Sequence, residues 1–280
     1  MTQSANPLKQ YFRQPAIYLR LPTGGKYWPP GSIELTHNGE FPVYPMTAID
    51  EITYRTPDAL FNGQAVVTVI QSCIPNVKNA WAAPTTDINS MLVAIRLASY
   101  GHELEISSTC PSCETSDDYA LDLRHVLDQL KMPDFESTMQ HGDLEISFGP
   151  ISYEIQNKSN QEQFDEQRMI QSVTESDLPE ADKLKRLNDA MRRITELTVD
   201  ALKWSISGIR TPGAIVSETE HIQEFLVNCD RKLFNRIRDH VINLRKASEL
   251  TPLGITCDNC QHEYKQTVTL DMTSFFEPAS

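Results

Sequence analysis

Two Cys-x-x-Cys pairs carry the clearest chemistry in this chain: Cys110-Pro111-Ser112-Cys113 and Cys257-Asp258-Asn259-Cys260. A tight turn can aim both sulfurs of such a pair at one ion. Two such knuckles complete a tetrahedral four-thiolate set, which zinc holds at about 2.3 Å. Pairs sharing an ion usually lie about 15–20 residues apart. Here 143 residues lie between Cys113 and Cys257, so spacing alone does not establish one site. The flanks carry the argument. HELEI and YALDL bracket the first pair, GIT and EYKQTVTL the second, and both read as strand, knuckle, strand. No further pair is available to either. The pattern predicts one structural Zn2+ per chain, bound by Cys110, Cys113, Cys257 and Cys260. Two separate or redox sites, or thiols without metal, are the alternatives, and His262 is a substitute ligand. A redox pair should open a helix after a buried strand, and neither pair does. Four protein ligands leave no open position, so such a site would fasten the last 30 residues to the middle of the chain. Cys73 and Cys229 lie in apolar helical contexts and read as core thiols.

Little else points to catalysis. H-E-x-x-H, G-x-S-x-G and a glycine-rich dinucleotide turn are all missing from the sequence. The GGK at 24–26 fails as a phosphate loop, because Arg20 stands where glycine is needed and Tyr27 where Ser or Thr is needed. Asp50-Glu51 and Asp117-Asp118 are neighbours in sequence, which does not make an acid/base pair. No enzyme and no small-molecule substrate are expected. The stretch 231–246, RKLFNRIRDHVINLRK, has six basic residues against one acid. Arg231, Lys232, Arg236, Arg238 and Arg245 are candidate contacts for an acidic protein partner, with a solvated helical face as the plain alternative. Nucleic acid is the weaker reading, since 25 basic against 38 acidic residues give a charge of −13, which repels a polyanion.

The elements that must position these groups fall into a sequence of textures. At 280 residues, with 40% hydrophobic and 22% charged side chains, the chain is long enough for one large or two modest domains. Its start lacks a secretory segment, and no apolar run reaches the roughly 20 residues of a membrane span, so a reducing cytoplasm is expected. Residues 1–45 are rich in proline and read as extended, with strands at 16–21 and 32–36. Residues 46–101 read as a compact helical unit. Thr47 and Asp50 form a capping box, Thr56-Pro57 starts a helix that Gly63 ends, and Thr86 or Asp87 caps a helix stopped by Gly101. Residues 102–155 hold the first knuckle, a short helix at 122–130 and a hairpin at 143–155. Residues 156–250 are helical, with a heptad-like seam of Leu184, Leu187, Met191, Ile194, Thr198 and Ala201. A turn at 211–213 and a capping box at 217–220 lead into one helix whose face is Ile222, Leu226, Cys229, Leu233, Ile237, Val241 and Leu244. Residues 251–280 hold the second knuckle. The fold class is therefore α+β: mainly helical, with a β-rich N-terminal arm and a zinc-ribbon-like module interrupted by a helical hairpin insertion.

Between residues 17 and 113 the order of motifs resembles the T4-type bacteriophage baseplate protein family, associated with the central hub of contractile tails. The matching residues are YLRLPTGGKYW (18–28), YPMTAIDEITYRTPDALFNGQAVVTVIQSCI (44–74), TDINSMLVAIRLASYGHELEI (86–106) and then CPSC. The resemblance implies a non-enzymatic morphogenesis protein, either a baseplate component or a hub-assembly factor. Its partners would be other hub or wedge proteins, met in the host cytoplasm during assembly and in the virion tail. Residues 156–250 do not match motif by motif. Glu114 and Gln261 stand where glycine often follows the second cysteine. The competing class is a zinc-ribbon protein that binds nucleic acid or serves transcription.

Overall fold

The computed structural model describes residues 6–56, 61–176, 178–247, 252–266 and 275–276. The proline-rich start folds as an extended ribbon. Strand β1 (Ile17–Arg20) pairs antiparallel with β2 (Glu40–Val43), in the register Leu19↔Phe41. Alternation sends Leu19, Phe41 and Val43 to one face, where all are buried in the same core as the helices that follow. The strand expected at 32–36 does not form. Pro29, Pro30 and the left-handed Gly31 turn the chain, and Ile33 makes only an isolated bridge to Val77.

Helices α1 (Ala48–Tyr54), α2 (Gln64–Cys73) and α3 (Thr85–Tyr100) complete this core. The Thr47–Asp50 capping box is present in both directions. Asp50 also pairs with Arg13 at 3.2 Å, and Arg13 further donates to Pro45 O and Ser72 O. Burial pushes the Asp50 carboxyl up, but hydrogen bonds from Thr47 and Ser72 and the charge of Arg13 outweigh it and hold the group below its usual range. The helix expected from Thr56 falls largely outside the described residues, but Gly63 is left-handed (φ 77°), and a Cβ there would meet the Asn157 side chain at 2.8 Å.

Helix α3 corrects the expected cap. It begins at Thr85, after Pro84, with no side-chain cap. Asp87 is instead fully buried and accepts from Thr23 N (3.1 Å), Thr23 Oγ1 (2.5 Å) and Trp28 Nε1 (2.7 Å). Burial raises its pKa while the three donors pull it down. The Thr23-Gly24-Gly25 turn is thus shaped around a carboxylate of the protein itself.

A second core forms around the antiparallel sheet β5 (Met139–His141), β6 (Leu144–Phe148), β7 (Ile206–Arg210) and β8 (Ile215–Val216), in that order. Before it come β3 (Glu103–Thr109), β4 (Ser116–Asp122) and the expected short helix, α4 (Leu123–Gln129). The hairpin expected at 143–155 is displaced. Strand β6 turns back on β5 through the left-handed Gly142, and the chain past Ser152 enters α5 (Tyr153–Glu175).

Helix α5 pairs with α6 (Glu180–Ser205) as a hairpin. The expected turn at 211–213 joins two strands, β7 and β8, that the sequence reading misses. The single helix expected afterwards is two, α7 (Thr219–Asn228) and α8 (Arg231–Ala247). The chain breaks at Asp230, whose carboxylate accepts from the amides of Lys232 and Leu233. The capping box at 217–220 does not form, since Glu218 caps α7 without a side-chain bond. The apolar stripe survives the break, and Ile222, Leu226, Leu233, Ile237 and Val241 are buried with Phe148 and Ile206. The expected seam on α6 is split: Leu184, Met191 and Thr198 are exposed, Leu187, Ile194 and Ala201 are half-buried, and the buried apolar positions are Ala190 and Leu202.

Asp87→Ala would strand the Trp28 and Thr23 donors inside the core. Loss of about 3 kcal/mol is expected, measured as the shift in urea midpoint at constant slope. A shift within error of zero would remove this carboxylate from the fold's supports.

Candidate metal centre

The two knuckles sit at matching positions on two small antiparallel sheets. Strands β3 and β4 pair in the register Ile106↔Tyr119, and β9 (Leu253–Thr256) pairs with β10 (Glu263–Gln266) in the register Ile255↔Tyr264. Their internal bonds are the same. In the first, Cys110 N donates to Thr115 O (2.9 Å) and Glu114 N to Cys110 O (3.0 Å). In the second, Cys257 N donates to His262 O (3.0 Å) and Gln261 N to Cys257 O (2.8 Å). Each turn demands a left-handed residue after its second cysteine, at Glu114 (φ 59°) and Gln261 (φ 60°), where glycine would be strain-free.

These two turns bring the four expected cysteines together. The sulfurs of Cys110, Cys113, Cys257 and Cys260 all lie within 4.8 Å of one another. Cys110–Cys260 is 3.7 Å and Cys113–Cys257 is 3.6 Å. Four sulfurs at tetrahedral zinc distances lie roughly 3.8 Å apart, whereas a disulfide requires about 2.05 Å. The donor set therefore fits a metal ion, and the described residues hold no other such group of His, Cys, Asp and Glu. His262 is outside the set, its ring stacked on Tyr264.

Electrostatics agree with the geometry. Hydrogen bonds with Thr115 bring the Cys113 thiol down to about 6. At Cys260 a backbone bond at His262 acts in the same direction, but burial and the adjoining thiols push it up to about 12. Crowded sulfurs share negative charge poorly, and a divalent cation is what lets all four ionise. Contacts that the sequence reading did not anticipate lock the halves together. Asn259 Nδ2 donates to Thr115 Oγ1 at 3.1 Å, and Ser108 Oγ bonds Tyr264 Oη and Gln266 Oε1 at 2.9 and 3.0 Å.

The other cysteines are in the cores. Burial pushes the Cys73 thiol up to about 12, and raises that of Cys229, which packs against the second core. The basic residues of α8 divide. Arg236 is tied to His141 Nδ1 (2.9 Å) and Gln140 O (3.1 Å) on β5. Arg231, Arg238 and Arg245 recur every seven residues along one helical face, with Lys232 exposed beside the first. Arg238 pairs with Asp239 at 2.8 Å, and Arg245 lines two clefts of about 350 and 600 Å³ beside α5.

The architecture defines an α+β protein whose candidate metal centre joins its two cysteine knuckles. A family model described as the T4 bacteriophage base plate protein matches residues 46–277, and the chain belongs to that family. The match takes in both knuckles and the whole helical insertion. No curated protein and no solved structure matches the chain significantly. No helix among the described residues is long and apolar enough to cross a membrane.

Purified protein should carry about one divalent ion per chain, and cobalt substitution should give tetrahedral thiolate absorption bands that Cys257→Ser and Cys110→Ser each abolish. Two ions per chain, one surviving each variant, would contradict a shared site. Glu114→Gly should stabilise the loaded protein by about 0.5 kcal/mol, because relief of left-handed strain exceeds the extra chain entropy of glycine. Thermal melts in excess metal read this out.

Proposed function

We propose that this protein is a non-enzymatic part of the central hub of a contractile-tail baseplate, or a factor that assembles it. It acts through contacts with other hub or wedge proteins, in the host cytoplasm during assembly and then in the tail. The ion held by Cys110, Cys113, Cys257 and Cys260 is one structural zinc, a redox-silent cation suited to four thiolates. Family membership over residues 46–277 is the observation that carries this reading. A four-ligand centre supports it, since it offers folding energy rather than an open position for substrate.

The contact surface is placed on the helical insertion. Between them α5 and the first three-quarters of α6 bury only Val173 and Ala190, while Phe164, Leu184 and Met191 stay exposed. A long hairpin with so little core of its own gains its full stability on a partner. The face of α8 that carries Arg231, Lys232, Arg238 and Arg245, with Arg236 at its edge, meets an acidic partner surface. The same reading keeps the division of the chain at residues 46, 102, 156 and 251.

Leu184→Glu with Met191→Glu should leave the melting temperature within a few degrees and abolish recovery of the protein with assembled baseplates. Normal incorporation of this folded variant would sink the hairpin as the contact surface. Mass spectrometry of purified particles against infected-cell lysate separates the two hub roles: a component persists in particles, an assembly factor only in lysate.

A further inference from the structure

Beyond β10 the chain returns to the first core. Phe275 and Phe276 are 2% and 4% exposed there, among residues of the 46–101 helices. Phe276 meets Tyr54 edge to face at 4.5 Å, and the two phenylalanine rings meet each other at 5.1 Å. Consecutive side chains of a strand point to opposite faces, so two adjacent buried rings describe a plug entering a hole rather than a strand crossing a sheet. At the base of that hole lies Arg96, 1% exposed, on the last turns of α3. Its Nη1 donates to Phe275 O, and its guanidinium lies 5.6 Å from the Phe275 ring centroid and 5.5 Å from that of Tyr100.

A guanidinium is an expensive group to bury in a permanent apolar core, where an unbranched apolar side chain such as methionine packs without that desolvation. It is well suited to a pocket that opens. With the plug in place its contacts include the Phe275 carbonyl and two aromatic rings, and removal of the plug would uncover it. We propose that Phe275-Phe276 is a docked ligand carried by the chain itself. Tyr54, Arg96 and Tyr100 form the receptacle, which reads an aromatic pair together with its main-chain carbonyl. The ligand class is a peptide bearing two adjacent aromatic residues, and this chain supplies its own.

The test uses the full-length chain with Phe275→Ala and Phe276→Ala, which leaves the receptacle open, and a fluorescent peptide spanning residues 267–280. The peptide should bind this variant saturably, and bind the unaltered chain at least about tenfold more weakly, because a tethered copy holds the site at roughly millimolar effective concentration. A peptide with both phenylalanines replaced should not bind, and Arg96→Met added to the double variant should weaken binding at least tenfold. Equal binding to both chains, or none to a folded double variant, overturns the proposal. Should the double variant fail to fold, native thiol labelling of Phe275→Cys decides. Labelling at least tenfold faster than at core Cys73 supports a detachable plug, and equal rates overturn it.

Discussion

Four sulfurs within 4.8 Å of one another, drawn from segments 143 residues apart, set the terms for the rest of the molecule. Left as thiolates they repel, and left as thiols they contribute little, so the junction depends on a cation to be strong. Closing a loop of that length on an unfolded chain is entropically demanding, although the demand grows only logarithmically with length. A preformed knuckle on each side lowers it. Each hairpin aligns its own two sulfurs through backbone bonds, and only two rigid pieces remain to be brought together. The Asn259–Thr115 and Ser108–Tyr264 bonds then fix their relative orientation without metal.

Elsewhere the same logic appears with ordinary groups. Arg13 and Asp87 are single polar side chains that gather distant segments, one at Pro45, Asp50 and Ser72, the other at Thr23 and Trp28. Both clasp the proline-rich start onto the helices. That start has too few backbone donors to build a sheet beyond β1 and β2, so side chains take over the work of fixing it. The outcome is one core shared by residues from Leu19 to Leu130, with Phe275 and Phe276 added from far along the chain.

How much of this was legible follows from whether a signal is local. The knuckles, the Thr47–Asp50 box, the Gly101 stop and α4 are written within a few residues each, and the folded chain has them. Pairing of the cysteines was legible only as chemistry, because nothing in sequence spacing specifies which distant turn faces which. Asp87 was misread because an aspartate in a first helical turn looks like a cap, and only tertiary packing reveals the buried Trp28 donor beside it. Strands β7 and β8 were hidden for a different reason: ISGIR is short, and its partner β6 lies about 60 residues upstream. The α7–α8 stripe read as one helix because helical periodicity barely registers a two-residue break. Asp230, which makes that break, looks like any surface acid until its amide contacts are seen.

The left-handed residues of the knuckles bear on what the site is for. Glu114 and Gln261 accept a backbone conformation that glycine would adopt freely, and both do so in the two turns that aim sulfurs. Strain of that kind persists only where surrounding structure over-determines the backbone. In each knuckle the over-determination is visible. The strained residue's own amide donates to the first cysteine's carbonyl, and that cysteine's amide donates to the carbonyl of the residue just before the returning strand. The turns are thus held by bonds from within their own hairpins. A centre prepared in this way can tolerate a long helical insertion between its halves, because neither half depends on the insertion for its shape. Within that insertion the second core, from Leu202 to Val241, is buried on its own account, and only the α5–α6 hairpin leaves side chains such as Phe164, Leu184 and Met191 exposed.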